Sequence, residues 1–329
     1  MKKLISIVIP CYNEEAVIIE TYKRLTSVMA CTEKRYNYEL IFANDGSKDM
    51  TLKLLKEISR NDSHVKIINF SRNFGHQIAV TAGIDSAKGD AVVLIDADLQ
   101  DPPELILEFI EQWENGYEVV YAVRRKRIGE TWFKKVTASY FYRYLHKITD
   151  INIPVDTGDF RLMSRKVVNV LKQIKERHRF IRGLVSWVGF KQIGIPYDRA
   201  ERFAGETKYP LKKMIKFSID AITSFSYFPL KIAGFLGVSS AILGVFGIII
   251  SLILKFTTDY VIQGWTSLMI VMLFLGGMQL FILGIIGEYL GRIYDETRNR
   301  PLYIVDDEDI QSNMNEPQDD KVKHISARM

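Results

Sequence analysis

The chain has 329 residues, 47% hydrophobic and 25% charged, which excludes disorder along its whole length and leaves material for one large or two ordinary domains with real cores. With 44 Lys and Arg against 39 Asp and Glu the net charge is only +5, too slight a surplus to mark a nucleic-acid-binding surface without a concentrated patch. Two cysteines, Cys11 and Cys31, are spaced neither as a metal pair nor as a disulfide framework, so the polar part of the chain is expected in a reducing compartment.

Met1-Lys2-Lys3 and the apolar run to Pro10 look superficially like the start of a signal peptide. The run is short, and Asn13-Glu14-Glu15 stands where a small-residue cleavage site would be needed, so no cleavage is expected. Residues 4–9 instead read as a buried strand, followed by a loop and a helix capped at Asn13-Glu14-Glu15 and running toward Met29. The unit recurs: a strand at 38–43 leads through Asn44-Asp45-Gly46-Ser47 into a helix to Ile58. A strand at 65–70 precedes a loop and a helix over 75–87, and 91–95 makes a fourth strand. Short apolar strands alternating with helices predict a mainly parallel α/β sheet, whose ligand sits beyond the carboxyl ends of the strands. Tyr12, Asn13, Asp45, Ser71, Arg72, Asp96 and Asp98 all fall at those ends.

No G-x-G-x-x-G follows the first strand and no G-x-x-x-x-G-K-[ST] occurs, which argues against a dinucleotide dehydrogenase and a P-loop NTPase. Asp96-Ala97-Asp98-Leu99-Gln100-Asp101-Pro102-Pro103 offers another way to hold phosphate, with carboxylates two apart at a strand end as oxygen ligands for Mg²⁺ or Mn²⁺ on a diphosphate. Asp98 and Gln100 are the residues expected nearest the metal. Anionic phosphates demand cations, and Arg124, Arg125, Arg161, Arg202 and Lys208 are the candidates, because guanidinium groups grip phosphate oxygens bidentately. Lys208 lies in Gly205-Glu206-Thr207-Lys208, which reads as a mobile loop able to close over a ligand. Asp159 is open to three roles: taking a proton, positioning an acceptor, or pairing with Arg161 to hold its own loop.

The last third differs in kind. Residues 232–254 and 264–287 carry no charge, and at about 1.5 Å per residue the first extends roughly 34 Å, enough to cross a hydrocarbon core. Trp265 and Tyr289 flank the second run, where amphipathic aromatics favour an interface. Lys212, Lys213, Lys216 and Lys231 precede the first run and Arg292, Arg298 and Arg300 follow the second, whereas the 255–263 loop offers Lys255 beside Asp259. The positive-inside rule then places both ends in the cytoplasm. Segments 130–147 and 210–230 mix aromatics with Lys and Arg and are expected at the membrane surface, and 306–329 is expected to be disordered.

Six segments together carry a family resemblance. They are Ser6-Ile7-Val8-Ile9-Pro10-Cys11-Tyr12-Asn13-Glu14-Glu15, Asn44-Asp45-Gly46-Ser47, Ser71-Arg72-Asn73-Phe74-Gly75, the 96–103 run, Thr157-Gly158-Asp159-Phe160-Arg161 and Gly287-Glu288-Tyr289-Leu290-Gly291-Arg292. On them the chain resembles the family-2, GT-A-fold glycosyltransferases of the polyprenyl-phosphate hexosyltransferase type, over roughly residues 4–303. The resemblance implies that Pro10, Tyr12, Asn13, Glu14, Asp45 and Asp96 bind the nucleotide, and that Asp96, Asp98 and Gln100 surround the metal. With it, Asp159, Arg124, Arg161 and Lys208 form the expected catalytic set, and Arg124, Arg125 and Arg202 the acceptor-phosphate set.

The organisation expected is a cytoplasmic catalytic domain over 1–209, an amphipathic segment over 210–231, membrane helices at 232–254 and 264–287 joined by an external loop at 255–263, and a cytoplasmic tail over 288–329. The function expected is inverting transfer of one hexose, from UDP-glucose or UDP-N-acetylglucosamine, to undecaprenyl phosphate at the cytoplasmic face of the cell membrane, for cell-envelope glycosylation. The partners are a nucleotide sugar, a polyprenyl phosphate and the membrane, without nucleic acid and with a homo-oligomer left open. A processive polysaccharide synthase is the rival enzyme, but its Gln-x-x-Arg-Trp is absent. A transport protein is the rival from another class, but neither apolar run carries an intramembrane charge.

Overall fold

The computed structural model describes residues 2–125, 154, 157–177, 179–198, 228–257 and 265–306. The aromatic segment 130–147, most of 210–230, Arg202, Lys208 with its loop, most of the 255–263 loop and the chain beyond Asp306 lie outside the described residues.

Seven strands, β1 (Lys3–Cys11), β2 (Tyr36–Asn44), β3 (Val65–Asn69), β4 (Ala91–Leu94), β5 (Val119–Arg124), β6 (Thr157–Ser164) and β7 (Gln192–Tyr197), form one sheet in the order β3-β2-β1-β4-β6-β5-β7. β3, β2, β1 and β4 run parallel, β7 runs parallel to β5, and β6 is antiparallel to both β4 and β5. The sheet is thus the mainly parallel GT-A type expected. The reversed β6 decides where the site lies. Its register of Leu94 with Arg161 brings its first residues to the edge where β4 ends, so Asp159 arrives beside Asp96 although 63 positions separate them in sequence (159 − 96). The pairing of β5 with β6 shifts between Tyr121 and Val123, a bulge at that same edge.

β1 is buried on both faces, which is why it reads as a continuous apolar run rather than an alternating one. Ile5, Ile7 and Ile9 pack with Leu25 and Met29 of α1 (Ile18–Ala30), Leu55 of α2 (Thr51–Asn61) and Phe109 of α4 (Leu105–Glu114). Val8 faces the other way, into the layer made by α3 (His76–Ser86), α5 (Arg165–Gln173) and α6 (Ile181–Trp187). α3 approaches β1 closely because it is built from small residues. A Cβ added at Gly83 would lie 2.1 Å from Val8 Cγ1, whose side chain is fully buried. Gly83→Ala is therefore expected to destabilise the domain by about 1–3 kcal/mol through overpacking, despite alanine's better helix propensity. A thermal melt in detergent checks this, and an unchanged midpoint would mean that α3 can retreat from β1.

The first helix corrects an expectation. α1 starts at Ile18, with no side-chain cap at its N-terminus, and Asn13 sits at a φ of 54°. The residues expected to cap it are committed elsewhere. Asn13 N donates to Ser47 Oγ at 2.9 Å, Asn13 Oδ1 accepts from Lys48 N at 2.8 Å, and Glu14 N donates to Thr51 Oγ1 at 2.8 Å. The loop after β1 is laced to the loop after β2, so the two motifs are one structural unit.

Two helices hold the uncharged runs: α7 (Phe228–Thr257) and α8 (Trp265–Thr297). Both are long and apolar enough to cross a membrane, and the apolar stretch of each is almost wholly exposed, so neither is the core helix of a soluble domain. Gly237 faces Ile282 and Ser240 faces Met278, so one number rises as the other falls and the pair is antiparallel. α8 runs ten residues past its uncharged stretch (297 − 287), and the chain then returns to the sheet. Val305 forms an antiparallel bridge with Phe70, Ser71 N donates to Ile304 O at 3.1 Å, and Asp306 N donates to Asn69 O at 2.8 Å. Arg177 fixes the exit, its backbone N donating to Glu296 Oε1 at 2.7 Å and its Nη1 to Arg300 O at 2.6 Å.

Candidate active site

Three loops meet at one sheet edge. Asp45 follows β2, and its two carboxylate oxygens accept the backbone N–H groups of Phe74 (2.6 Å) and Gly75 (2.9 Å). Burial raises its pKa against the pull of those donors. Gly46 has a φ of 64°, and a Cβ there would lie 2.5 Å from the backbone carbon of Arg72, so glycine is required on both counts. Pro10 is buried, while Tyr12, Asn13 and Glu14 are half-buried beside these loops. Cys11 is buried, with its thiol pKa pushed up by burial and then by nearby carboxylates, which suits a packing residue and not a nucleophile.

The third loop leaves β4 with Asp96 and Asp98. Asp98 Oδ1 accepts from Gln100 N at 3.2 Å, and Leu99 between them sits at a φ of 56°, a strained conformation of the kind found at functional loops. Asp101 is buried and accepts a short hydrogen bond from the Tyr197 hydroxyl at the end of β7, which in turn accepts from Arg124 Nε at 3.3 Å. That chain ties β5 and β7 to the carboxylate loop. Gly158 lets it close, because a Cβ there would come within 2.9 Å of the Arg124 guanidinium. Arg125 is exposed, its backbone N donating to Tyr197 O.

Asp159 lies at the centre, with 12% of its side chain exposed. Its Oδ2 stands 3.2 Å from His76 Nε2 and accepts from Gln77 Nε2 at 3.2 Å, while Oδ1 pairs with Arg182 Nη2 at 3.4 Å. Burial alone would raise its pKa. Arg182 and His76 overcome that and hold the carboxyl well below the usual range. His76 Nε2 also stands 3.7 Å from Asp96 Oδ1. Burial opposes the imidazolium, but Asp159 and Asp96 outweigh it and lift its pKa to about 9. Asp96 goes the other way, pushed up to about 6 by burial and by the carboxylates of Asp159, Asp101 and Asp98 against the pull of His76. Arg161 is buried with its guanidinium on the backbone carbonyls of Asp159 (3.2 Å) and Gly158 (2.9 Å), and burial lowers its pKa to about 10. It holds the β6 entrance by its backbone, and the partner of the Asp159 carboxylate is Arg182.

His76, Gln77 and Arg182 belong to no local motif. His76 and Gln77 directly follow Gly75 and open a helix whose next seven residues are, apart from Thr81, apolar or glycine, which was the available cue. Arg182 stands between Ile181 and Gly183 in α6 and only the fold brings it to Asp159; its Nε is buried with no partner among the described residues.

The donor chemistry of the Asp96–Gln100 loop fits a hard divalent cation. Among the described residues no three His, Cys, Asp or Glu groups form a cage by themselves. Two carboxylates and an amide oxygen do suit Mg²⁺ or Mn²⁺ completed by substrate phosphates and water, the usual division for Mg²⁺.

A mainly parallel α/β sheet with an acidic loop beyond β4 and a second carboxylate on a reversed neighbouring strand is the arrangement of a GT-A glycosyltransferase. Residues 6–171 match glycosyl transferase family 2, and residues 228–293 match the GtrB C-terminal hairpin. The chain belongs to glycosyltransferase family 2 and is a glycosyltransferase. It is 62% identical over 91% of its length and 92% of the relative's to the uncharacterized glycosyltransferase YkcC of Bacillus subtilis. It is 50% identical, over 92% and 95%, to the uncharacterized glycosyltransferase sll0501 of Synechocystis. The bactoprenol glucosyl transferase of Shigella phage SfII is 42% identical over 92% of this chain and 97% of its own.

Proposed function

We propose that this enzyme transfers one hexose, with inversion, from UDP-glucose or UDP-N-acetylglucosamine to undecaprenyl phosphate at the cytoplasmic face of the membrane. The observation that carries the acceptor is the state of Asp159. A carboxylate clamped by Arg182 and His76 and held far below the ordinary range is a poor general base. An alcohol acceptor would need one; a phosphate monoester, whose second pKa is about 6, arrives already ionised. Relatives named as bactoprenol glucosyl transferases, and two apolar helices following the catalytic domain, support a lipid as the rest of the acceptor.

In the reaction an acceptor phosphate oxygen attacks the anomeric carbon, the bond from that carbon to the diphosphate oxygen breaks, and the nucleoside diphosphate leaves with the electron pair. No proton has to move when the acceptor is a dianion. Asp96, Asp98 and Gln100 would hold a Mg²⁺ or Mn²⁺ ion, which supplies charge neutralisation at the leaving diphosphate. Pro10, Tyr12, Asn13, Glu14 and Asp45 seat the nucleotide. Arg124, steered by Tyr197, and Arg125 stand at the edge where phosphates gather, with Arg202 and Lys208 as further cations from the 199–227 segment. Asp159 keeps His76 and Arg182 in place, so the cleft holds fixed positive charge without a free base.

Incubation of purified protein and undecaprenyl phosphate with a panel of UDP- and GDP-sugars tests the reading. Label is expected in lipid from UDP-glucose or UDP-N-acetylglucosamine, and exclusive use of a GDP-sugar would overturn the donor assignment. Orientation has its own support. The bonds from Arg177 to Glu296 and Arg300 join the end of α8 to the catalytic domain, which supports a common side of the membrane for both, and the Lys and Arg distribution supports the cytoplasm as that side. In a Cys11→Ala, Cys31→Ser background, Gln263→Cys is expected to react with an impermeant thiol reagent in intact cells and Ser312→Cys to stay protected. The opposite labelling would reverse the topology.

A further inference from the structure

We infer that the segment following the second apolar helix, residues 301–306, is a positioning element of the donor site, acting through Phe70 and the loop that carries Phe74 and Gly75. The inference rests on the reading of Asp45 as part of the nucleotide seat.

β3 is an edge strand, so its outer backbone groups have no partner from the sheet itself. The returning segment covers the last of them, with Ser71 N bonded to Ile304 O and Asp306 N to Asn69 O. Side chains reinforce it. Tyr303 stacks on Phe70 with ring centroids 5.1 Å apart and planes at 19°, and Phe70 meets Phe74 edge-on at 5.7 Å. Phe70 is 2% exposed, so the stack closes a buried surface rather than decorating an open one.

What the segment presses against is the short loop from Ser71 to Gly75. One end of that loop is bonded to the segment through Ser71; the other is bonded to Asp45 through the Phe74 and Gly75 amides. The next residue, His76, reaches Asp159 and Asp96. Removing the segment frees the Ser71 amide and one face of Phe70, leaving the bonds to Asp45 and the packing of Phe74 to hold the loop. A loop that loses backbone bonds and buried contacts opens more often, and a site whose parts are less fixed binds its ligand less well. The end of the membrane hairpin is thus built into the wall of the donor site, and Glu296 and Arg300, gripped by Arg177, fix where it begins.

The test compares four full-length or nearly full-length variants in detergent: Tyr303→Ala, Tyr303→Phe, a chain ending at Arg300 and a chain ending at Asp306. Tyr303→Ala and the chain ending at Arg300 are expected to raise the donor KM, and the dissociation constant for UDP with Mg²⁺, about tenfold, with kcat changed less. Tyr303→Phe and the chain ending at Asp306 are expected to match the wild type. Hydrogen exchange gives a readout independent of turnover, in which the Phe74 and Gly75 amides should exchange faster in Tyr303→Ala. If the chain ending at Arg300 does not fold, Tyr303→Ala and its exchange pattern decide. A lowered melting temperature with unchanged KM and unchanged exchange at Phe74 and Gly75 would make the segment merely stabilising and overturn the inference. An equal defect in the chain ending at Asp306 would assign the effect to the residues beyond and overturn it too. Failure of the wild type to bind UDP or any nucleotide sugar would instead overturn the underlying reading of the site.

Discussion

Asp98→Asn should lower transfer by about 10²–10³-fold while leaving the fold intact. The estimate follows from the several kcal/mol that a cation at a developing diphosphate contributes and from the tenfold in rate that about 1.4 kcal/mol represents. Asparagine keeps the size of the side chain and an oxygen that can still accept from Gln100 N, so the strained turn at Leu99 should survive. What it loses is the charge of one of the two carboxylates, Asp96 and Asp98, assigned to the metal. Chelation with EDTA should abolish wild-type transfer, and added Mg²⁺ or Mn²⁺ should restore the wild type far better than the variant. Full turnover of either protein in EDTA would remove the metal assignment, and with it the roles given to Asp96 and Gln100.

Asp159→Asn should be slower by at least about 10²-fold, and the deficit should persist from pH 6 to about pH 8.5. A base that must remove the acceptor proton becomes dispensable above the acceptor's second pKa of about 6, so a base variant would recover as pH rises. The structure favours the other outcome, because Asp159 is occupied by Arg182, His76 and Gln77. The sign of the stability effect is also fixed. A carboxyl whose pKa is depressed on folding stabilises at pH values above its unfolded value of about 3.9, and that contribution fades only as pH falls through the lower folded value. Across pH 6 to 8.5 it is fully present. His76 is the converse, since its raised pKa of about 9 makes its contribution complete below about 6.5 and lost as pH rises through 9. Asparagine leaves two cations without their carboxylate, so a melting temperature should accompany the rates. Single-turnover measurements at saturating donor and acceptor separate lost chemistry from weakened binding. Recovery to the wild-type rate above pH 7 would favour a base, and a wild-type rate at every pH would leave Asp159 no part in the reaction.

Much of the first half of the sheet was legible because its signals are local. The strand runs at 4–9, 38–43, 65–70 and 91–95 correspond to β1 to β4 within two residues at either end, since strands buried on both faces read as short, mostly apolar segments. The loops after them carry their ligand-binding residue types in view. The start of α1 was misread because Asn13 and Glu14 have the composition of a cap while their hydrogen bonds go to the loop after β2, an arrangement no local pattern encodes. The Asp159 cluster was half-legible. Its carboxylate stood out in Thr157-Gly158-Asp159-Phe160-Arg161, and Arg161 was the nearest cation in sequence, yet the reversed β6 and the packing of α3 and α6 supply His76, Gln77 and Arg182 from 83, 82 and 23 residues away. The return of the chain to β3 was hidden for a similar reason, because Pro301-Leu302-Tyr303-Ile304-Val305 is a short apolar stretch whose partner, Phe70, lies 233 positions before Tyr303 in sequence (303 − 70).

The most direct measurement is a single-turnover reaction of the purified enzyme with radiolabelled UDP-glucose or UDP-N-acetylglucosamine and undecaprenyl phosphate, with the lipid product resolved by mass spectrometry. The expected result is one hexose joined to each lipid phosphate, of inverted anomeric configuration, formed only with a divalent cation and the intact phosphate acceptor. A polymer on the lipid, a product with retained configuration, or label passing to water alone while the lipid phosphate is untouched would contradict it.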